Sequence, residues 1–164
     1  PGTVSKITFS ANDKILPYSY FLVANDAASE TMLALADKTF EDLTFGTDGF
    51  IALTPFSENI SENNYHLAVD LVGWSKDAFS EGSPFSSAPA DNKSLERKAK
   101  ITSTKESLST DADSQSANAF DSNDNLLDFV VQDNFIFILY QVQAEVFFFL
   151  QGIKKRGGDK SGLC

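Results

Sequence analysis

The sequence predicts an all-β fold in residues 1–134, followed by a segment of another kind in residues 135–164. Three observations lead there. Short runs of Ile, Phe, Tyr and Val alternate with polar residues at the period of two that half-buried strands require. Turn signals built on Asn, Asp, Gly and Pro separate those runs. A chain of 164 residues is long enough for one proper core and too short for two comfortable ones.

Ser5 to Phe9 and Tyr18 to Ala24 carry the alternation and are expected as strands, with Asn12, Asp13 and Pro17 breaking the pattern between them. Ala27 to Ala36 reads as a short helix, because Met32, Leu33 and Leu35 cluster and Ser29 can cap it. Thr47, Asp48 and Gly49 signal a turn in which Gly49 supplies a positive φ, delivering the chain into a strand over Phe50 to Thr54. His66 to Trp74 follows as a strand, with Leu67, Val69, Leu71 and Gly73 on its core face and Ala68, Asp70, Val72 and Trp74 on the other. Ser75 to Asn92, rich in Ser, Gly, Pro and Ala, is a loop, and Leu95 anchors a short returning strand in the SLERK run. Lys100 to Ala119 has few apolar residues and reads as a long exposed loop, partly disordered. Asp121 to Gln132 closes the domain through Leu127, Phe129 and Val131.

Charge narrows the partners. The formal net charge is -10 and the pI about 4.4, so the average surface repels a phosphate backbone and nucleic acid is not expected. The imbalance is uneven: residues 1–134 hold 9 basic and 21 acidic side chains, whereas residues 135–164 hold 4 and 2. Cys164 is the only cysteine, which excludes an internal disulfide and a thiolate metal cluster. Pro1 stands where an initiator methionine would, and no charged stretch leads into an apolar run, so no secretory signal is expected in these residues and the chain reads as a fragment or a processed product.

One run orders several of these elements. Val69 to Lys98, VDLVGWSKDAFSEGSPFSSAPADNKSLERK, sets a strand ending in Trp74, the turn Glu81, Gly82, Ser83, Pro84 and the strand SLERK in succession. In wording and order it resembles the lamin-tail-domain family, in the form found on bacterial surface proteins and secreted enzymes. Residues 7–26, ITFSANDKILPYSYFLVAND, resemble the middle of the same domain. The resemblance covers about residues 3–134 and implies an immunoglobulin-like β-sandwich. It also implies strands ahead of Pro1, one of them with an aliphatic–Glu–aliphatic pattern. Without them the sandwich is expected to be incomplete at its N-terminal edge, an opening for strand-paired homodimers. Such a domain is expected outside the cell or on its surface, as a non-catalytic accessory or interaction module with a protein or cell-surface partner. The alternatives are the appendage of a secreted hydrolase of nuclease or phosphatase type whose catalytic part lies elsewhere, and a membrane-anchored envelope protein. Trp74, Glu81 and Arg97 are expected to close and brace one end of the sandwich, with Arg97 paired to Glu81 or Asp70.

The family ordinarily leaves the domain through a polar tail, whereas here Phe135 to Leu150, FIFILYQVQAEVFFFL, intervenes. Three readings stand. As a membrane span the block is about four residues short of the roughly 20 required, and Gln141, Gln143 and Glu145 near its middle oppose insertion, although Lys154, Lys155 and Arg156 follow as a stop-transfer cluster would. As a strand, Leu139 to Val146 alternates well and can cover the open sheet edge. As a segment foreign to the family, arising from a shifted reading frame, it has no evolved role.

Candidate chemistry is sparse. His66 is the only histidine, which excludes paired-histidine zinc sites, and no glycine-rich loop follows a strand as nucleotide binding requires. Asp111, Asp113, Asp121, Asn123, Asp124 and Asp128 crowd a loop-rich region with oxygen ligands suited to calcium. Against that stand Leu126 and Gln132, where an EF-hand opened by Asp121 would need its glycine and its bidentate glutamate. No cofactor is therefore expected, and a solvated acidic loop is the plainer reading. Lys93, Arg97, Lys98, Lys100 and Lys105 form a basic patch where any acidic partner would sit, diluted by Glu96 and Glu106 and lacking interleaved aromatics. Trp74 either presents a ring for a sugar or peptide or closes the core, with Phe79 and Phe85 capping the same end.

Overall fold

Tyr, Phe, Val and Ile in alternation extend the chain, and capped polar segments interrupt it. The computed structural model describes residues 5–15, 20–41, 47–90 and 93–133, together with the strand 145–148. Among them strands predominate, helices are few and of four to six residues, and the strands form three small sheets with no closed barrel.

Strand β1 (Tyr20–Asn25) buries Phe21, Val23 and Ala24. Beyond it the Asn25 side chain accepts from the Ala27 N–H at 2.9 Å. Helix α1 (Glu30–Leu35) then begins where Ser29 Oγ accepts from the Met32 N–H at 3.3 Å, the cap expected from the sequence, and it buries Met32. After the helix, Asp37 donates its N–H to Leu22 O at 2.9 Å while its carboxylate accepts from the Leu22 N–H at 2.7 Å. Asp37 thus leads the chain onto the edge of β1, where β2 (Lys38–Phe40) pairs in parallel, Val23 opposite Lys38 and Asn25 opposite Phe40. The opposite edge takes β7 (Glu145–Phe148), also parallel, from Tyr20 opposite Glu145 to Val23 opposite Phe148. Of the strand expected over Leu139 to Val146, residues 139–144 lie outside the described residues. The membrane and foreign-tail readings of residues 135–150 fall almost wholly outside them as well.

Ser5 to Phe9 is not a strand. Asp13 accepts from the Ser10 N–H at 2.6 Å, and this turn chemistry prevails over the β-propensity of Ile7 and Phe9. Phe9 instead packs edge-on against Phe21 at 5.5 Å between centroids.

Strands β3 (Gly49–Leu53) and β4 (Asp70–Trp74) run antiparallel, Gly49 opposite Trp74 and Leu53 opposite Asp70. Gly49 is needed for close approach and not for a positive φ, since a Cβ there would lie 2.8 Å from Trp74 Cζ2. The strand expected from His66 begins only at Asp70. Asn64 accepts from the Ser61 N–H at 2.7 Å and the chain continues into a 3₁₀ turn at Tyr65–Leu67, leaving Leu67 54% and Val69 64% exposed.

The expected faces of β4 are corrected accordingly. Val72 and Trp74 belong to the core cluster that Trp74 makes with Phe85, Ile51, Ala88, Leu95 and Phe129, while Leu71 and Gly73 on the other face are buried too. Phe85 covers Trp74 as expected. Phe79 does not: it stacks on Tyr65 at 5.4 Å and meets Phe50 at 5.4 Å, and its carbonyl passes directly over Gly73.

Strands β5 (Ser94–Arg97) and β6 (Phe129–Gln132) form a second antiparallel pair, Ser94 opposite Gln132 and Arg97 opposite Phe129. Leu95 and Phe129 carry this pair onto the Trp74–Phe85 core, so one apolar cluster joins both pairs. The stretch expected as a long loop contains helix α2 (Lys105–Ser109), started by a reciprocal cap between Thr104 and Ser107 and anchored by buried Leu108. Helix α3 (Asn125–Asp128) precedes β6, with Asp124 accepting from the Leu126 and Leu127 N–H groups. That cap replaces the expected alternation, so Leu127 and Val131 are exposed while Asn125, Asp128 and Gln132 are buried.

The packing over Gly73 sets a first test. A Cβ at this position would lie 2.2 Å from Phe79 O and 2.8 Å from Ser80 Cβ, so Gly73→Ala is expected to destabilise the fold by about 1–3 kcal/mol in a denaturant titration.

Candidate functional site

Arg97 ends β5 and Asp70 begins β4, and the shared core brings these two strand ends together. Arg97 Nη2 donates to both oxygens of Asp70 at 2.6 Å each, and Nη1 donates to Phe120 O at 3.3 Å. Asp121 Oδ1 and Asp128 Oδ2 each stand 3.9 Å from Nη1. Phe129, opposite Arg97 in the ladder, lies under the guanidinium with Cζ 4.5 Å from the ring centroid. The Arg97 side chain is only 11% exposed, so these partners replace nearly all of its water.

Asp128 is fully buried and satisfied within its own turn. Its Oδ1 accepts from the Ser122 N–H at 2.9 Å and from Ser122 Oγ at 2.6 Å, and its Oδ2 from the Asp124 N–H at 3.3 Å. Asn125, the next buried polar residue, reaches β4: Oδ1 accepts from the Gly73 N–H at 2.9 Å and Nδ2 donates to Leu71 O at 2.8 Å. Its amide closes part of the free edge of β4, and Phe85 closes the rest by donating to Gly73 O at 3.0 Å and accepting from the Ser75 N–H at 2.6 Å. A strand-paired dimer would find this edge taken.

Glu81 completes the group. Oxygens of Glu81, Asp121 and Asp128 lie within 4.8 Å of one another, and Glu81 Oε2 is shielded from solvent with no hydrogen-bond partner. Burial, and then the charges of Asp70 and Asp121, push its carboxyl up to about 7, against the smaller opposing pull of Arg97. Such a spacing of oxygens could admit a cation, but the Arg97 guanidinium already supplies positive charge at 3.9 Å from two of the three carboxylates.

The other calcium candidates are dispersed. Asp111 is exposed. Asp113 is buried at α2, bound by Lys100 at 2.7 Å and by the Ser107 and Ser103 hydroxyls at 2.7 and 2.9 Å, which hold its carboxyl below the usual range. Asn123 is exposed, at a φ of +57°. Asp124 caps α3, and although burial pushes its carboxyl up, bonds from Ser83, Leu127 and Leu126 prevail and lower it. The expected set thus contributes Asp121 and Asp128 alone, joined by Glu81.

Most of the basic patch is paired within the chain. Lys93 and Lys105 both pair with Asp133, whose carboxyl the two lysines hold down at about 2, and Lys100 pairs with Asp113. Lys98 is half-buried, its N–H donating to Asp128 O at 2.8 Å. Arg97 is a brace and not a docking residue. Trp74, at 1% exposure, is core and offers no ring to a ligand. His66 is exposed and meets the edge of Tyr65. Ser75, at a φ of +84°, carries a hydroxyl buried without a partner, out of reach of a substrate.

Comparison of the chain with known protein families, with curated proteins and with solved structures returns no match. Among the described residues no helix is long and apolar enough to cross a membrane.

Two outcomes are expected of this cluster. Arg97→Ala should lower the unfolding free energy by roughly 2–4 kcal/mol, less than the ~3–5 of a fully buried pair because Asp70 keeps some water. The melting midpoint should be the same in excess calcium and in chelator, because Arg97 occupies the electrostatic role a cation would fill. A calcium-induced rise abolished by Asp128→Asn would contradict that assignment.

Proposed function

We propose that the chain is a non-catalytic interaction module, lamin-tail-like, belonging to a larger exported or cell-surface bacterial protein. The observation that carries this reading is the use to which its reactive side chains are put. Arg97, Asp70, Asp128 and Asn125 bind one another or the edge of β4, and Asp113 binds α2. Groups committed in this way hold strands, which supports a structural use for them.

The antiparallel pairs β3–β4 and β5–β6, joined through Trp74 and Phe85, support reading residues 49–132 as part of an immunoglobulin-like sandwich. The parallel sheet β2–β1–β7 departs from the antiparallel pattern of such a sandwich, although β1 lies in the stretch that resembles the middle of the domain. The burial of Trp74 and the Arg97–Asp70 pair support reading one end of the sandwich as braced.

The purified chain is expected to leave generic esterase, nuclease and glycosidase substrates unchanged over hours. Turnover that disappears in His66→Ala or Asp124→Ala would overturn the proposal.

A further inference from the structure

The Glu81 loop is fastened to the start of α3. Glu81 O accepts from the Asn125 N–H at 2.9 Å, Ser83 O accepts from the Leu126 N–H at 3.1 Å, and Ser83 Oγ donates to Asp124 Oδ2 at 3.0 Å. Between them Gly82, at a φ of +56°, lies so close to α3 that a Cβ would meet Asn123 O at 2.7 Å. Two residues after Ser83 the same loop delivers Phe85 onto Trp74. Whatever loosens Glu81 therefore loosens the cover of the core.

Charge at this junction is unbalanced. Glu81 faces Asp70 from β4, Asp121 from the segment before α3, Asp128 from α3 and Arg97 from β5, while Asp124 stands beyond Ser83. One guanidinium thus serves four carboxylates, with its Nη2 taken by Asp70 and its Nη1 donating to Phe120 O. An ionised Glu81 would place part of its charge on Oε2, which is shielded from solvent and has no hydrogen-bond partner. A proton on Glu81 removes that charge and places an O–H among carboxylate oxygens within 4.8 Å.

We propose that Glu81 is a proton-operated latch: protonated, it holds the 81–83 loop on α3 and Phe85 over Trp74, and ionised, it releases them. Burial and the neighbouring acids raise its carboxyl to about 7, so the switch falls between mildly acidic and neutral conditions. In the closed state Glu81 keeps a proton that the open loop gives up near the ordinary value of 4.5. Closing therefore takes up a proton between those two values. The latch is fully set below the lower one and weakens as pH rises toward the upper one, the opening constant growing by at most about tenfold per pH unit.

The test is amide hydrogen exchange on the full chain between about pH 5 and pH 8, expressed as protection factors so that intrinsic exchange rates cancel. Asn125 and Leu126 should lose protection as pH rises while the β5–β6 ladder holds steady, and Trp74 emission should shift to the red over the same range. Glu81→Gln, neutral at every pH, should hold both amides at their low-pH protection. Should that variant fail to fold, an NMR titration of the Glu81 carboxyl in the native chain decides the matter. A Glu81 midpoint near the ordinary glutamate value, protection independent of pH, or a pH-dependent loss retained in Glu81→Gln would each overturn the proposal.

Discussion

A guanidinium withdrawn from water must find its partners inside the protein, and in this chain Arg97 finds them on three separate segments. Asp70 comes from the start of β4, Phe120 O and Asp121 from the approach to α3, and Asp128 from α3 itself. The Phe129 ring beneath completes the enclosure. Beside this group stand the apolar contacts around Trp74, which link β4, β5 and β6, and the Asn125 amide, which links α3 to β4. The apolar core and the polar brace thus share β4 and β5, and the brace adds α3. A buried cation held in this way adds less to stability than its bond count suggests, because desolvation offsets much of the attraction. What it adds is a single arrangement of the segments around it.

The same economy appears at the edge of β4. A two-stranded sheet leaves unpaired main-chain groups along each strand, an invitation to other strands. Here the Asn125 amide serves as a strand would, offering one acceptor to Gly73 and one donor to Leu71. Phe85 then continues the pairing in main-chain form. Polar residues from distant loops thereby finish a sheet too small to finish itself.

What the sequence disclosed and what it withheld divide along physical lines. The Ser29 cap, the strand after Thr47–Gly49, the SLER strand and the interior place of Trp74 were legible, because each depends on a local signal or on the burial cost of one side chain; for Arg97 the sequence left Glu81 and Asp70 open as partners, and the structure takes Asp70. Ser5 to Phe9 misled because the nearby Asp13 turn captures the Ser10 amide. Lys105 to Ser109 was hidden because its order comes from Thr104, Ser107 and Asp113 hydrogen bonds, which composition alone registers as polarity. Asn125 sits in a run of oxygen donors that gives no sign of what its amide binds. Its true partner is a strand 52 residues away, and only the Asp124 cap beside it hinted that the segment was helical. Glu81 was expected as a brace, but the crowd of acids around it arises from three segments no local pattern connects.

Strand β1 is recruited twice, at very different separations along the chain. Val23 meets Lys38 after 38 − 23 = 15 residues, across a turn and one short helix. Tyr20 meets Glu145 after 145 − 20 = 125 residues, a loop that encloses every other sheet in the molecule. Closing the larger loop costs roughly 2 kcal/mol more in chain entropy than closing the smaller. The β1–β2 pair can therefore form early from neighbouring residues, whereas β7 gains a partner only once β1 is in place. On loop-closure entropy alone, the near neighbour is the easier partner for β1 and the strand from the far end of the chain the harder.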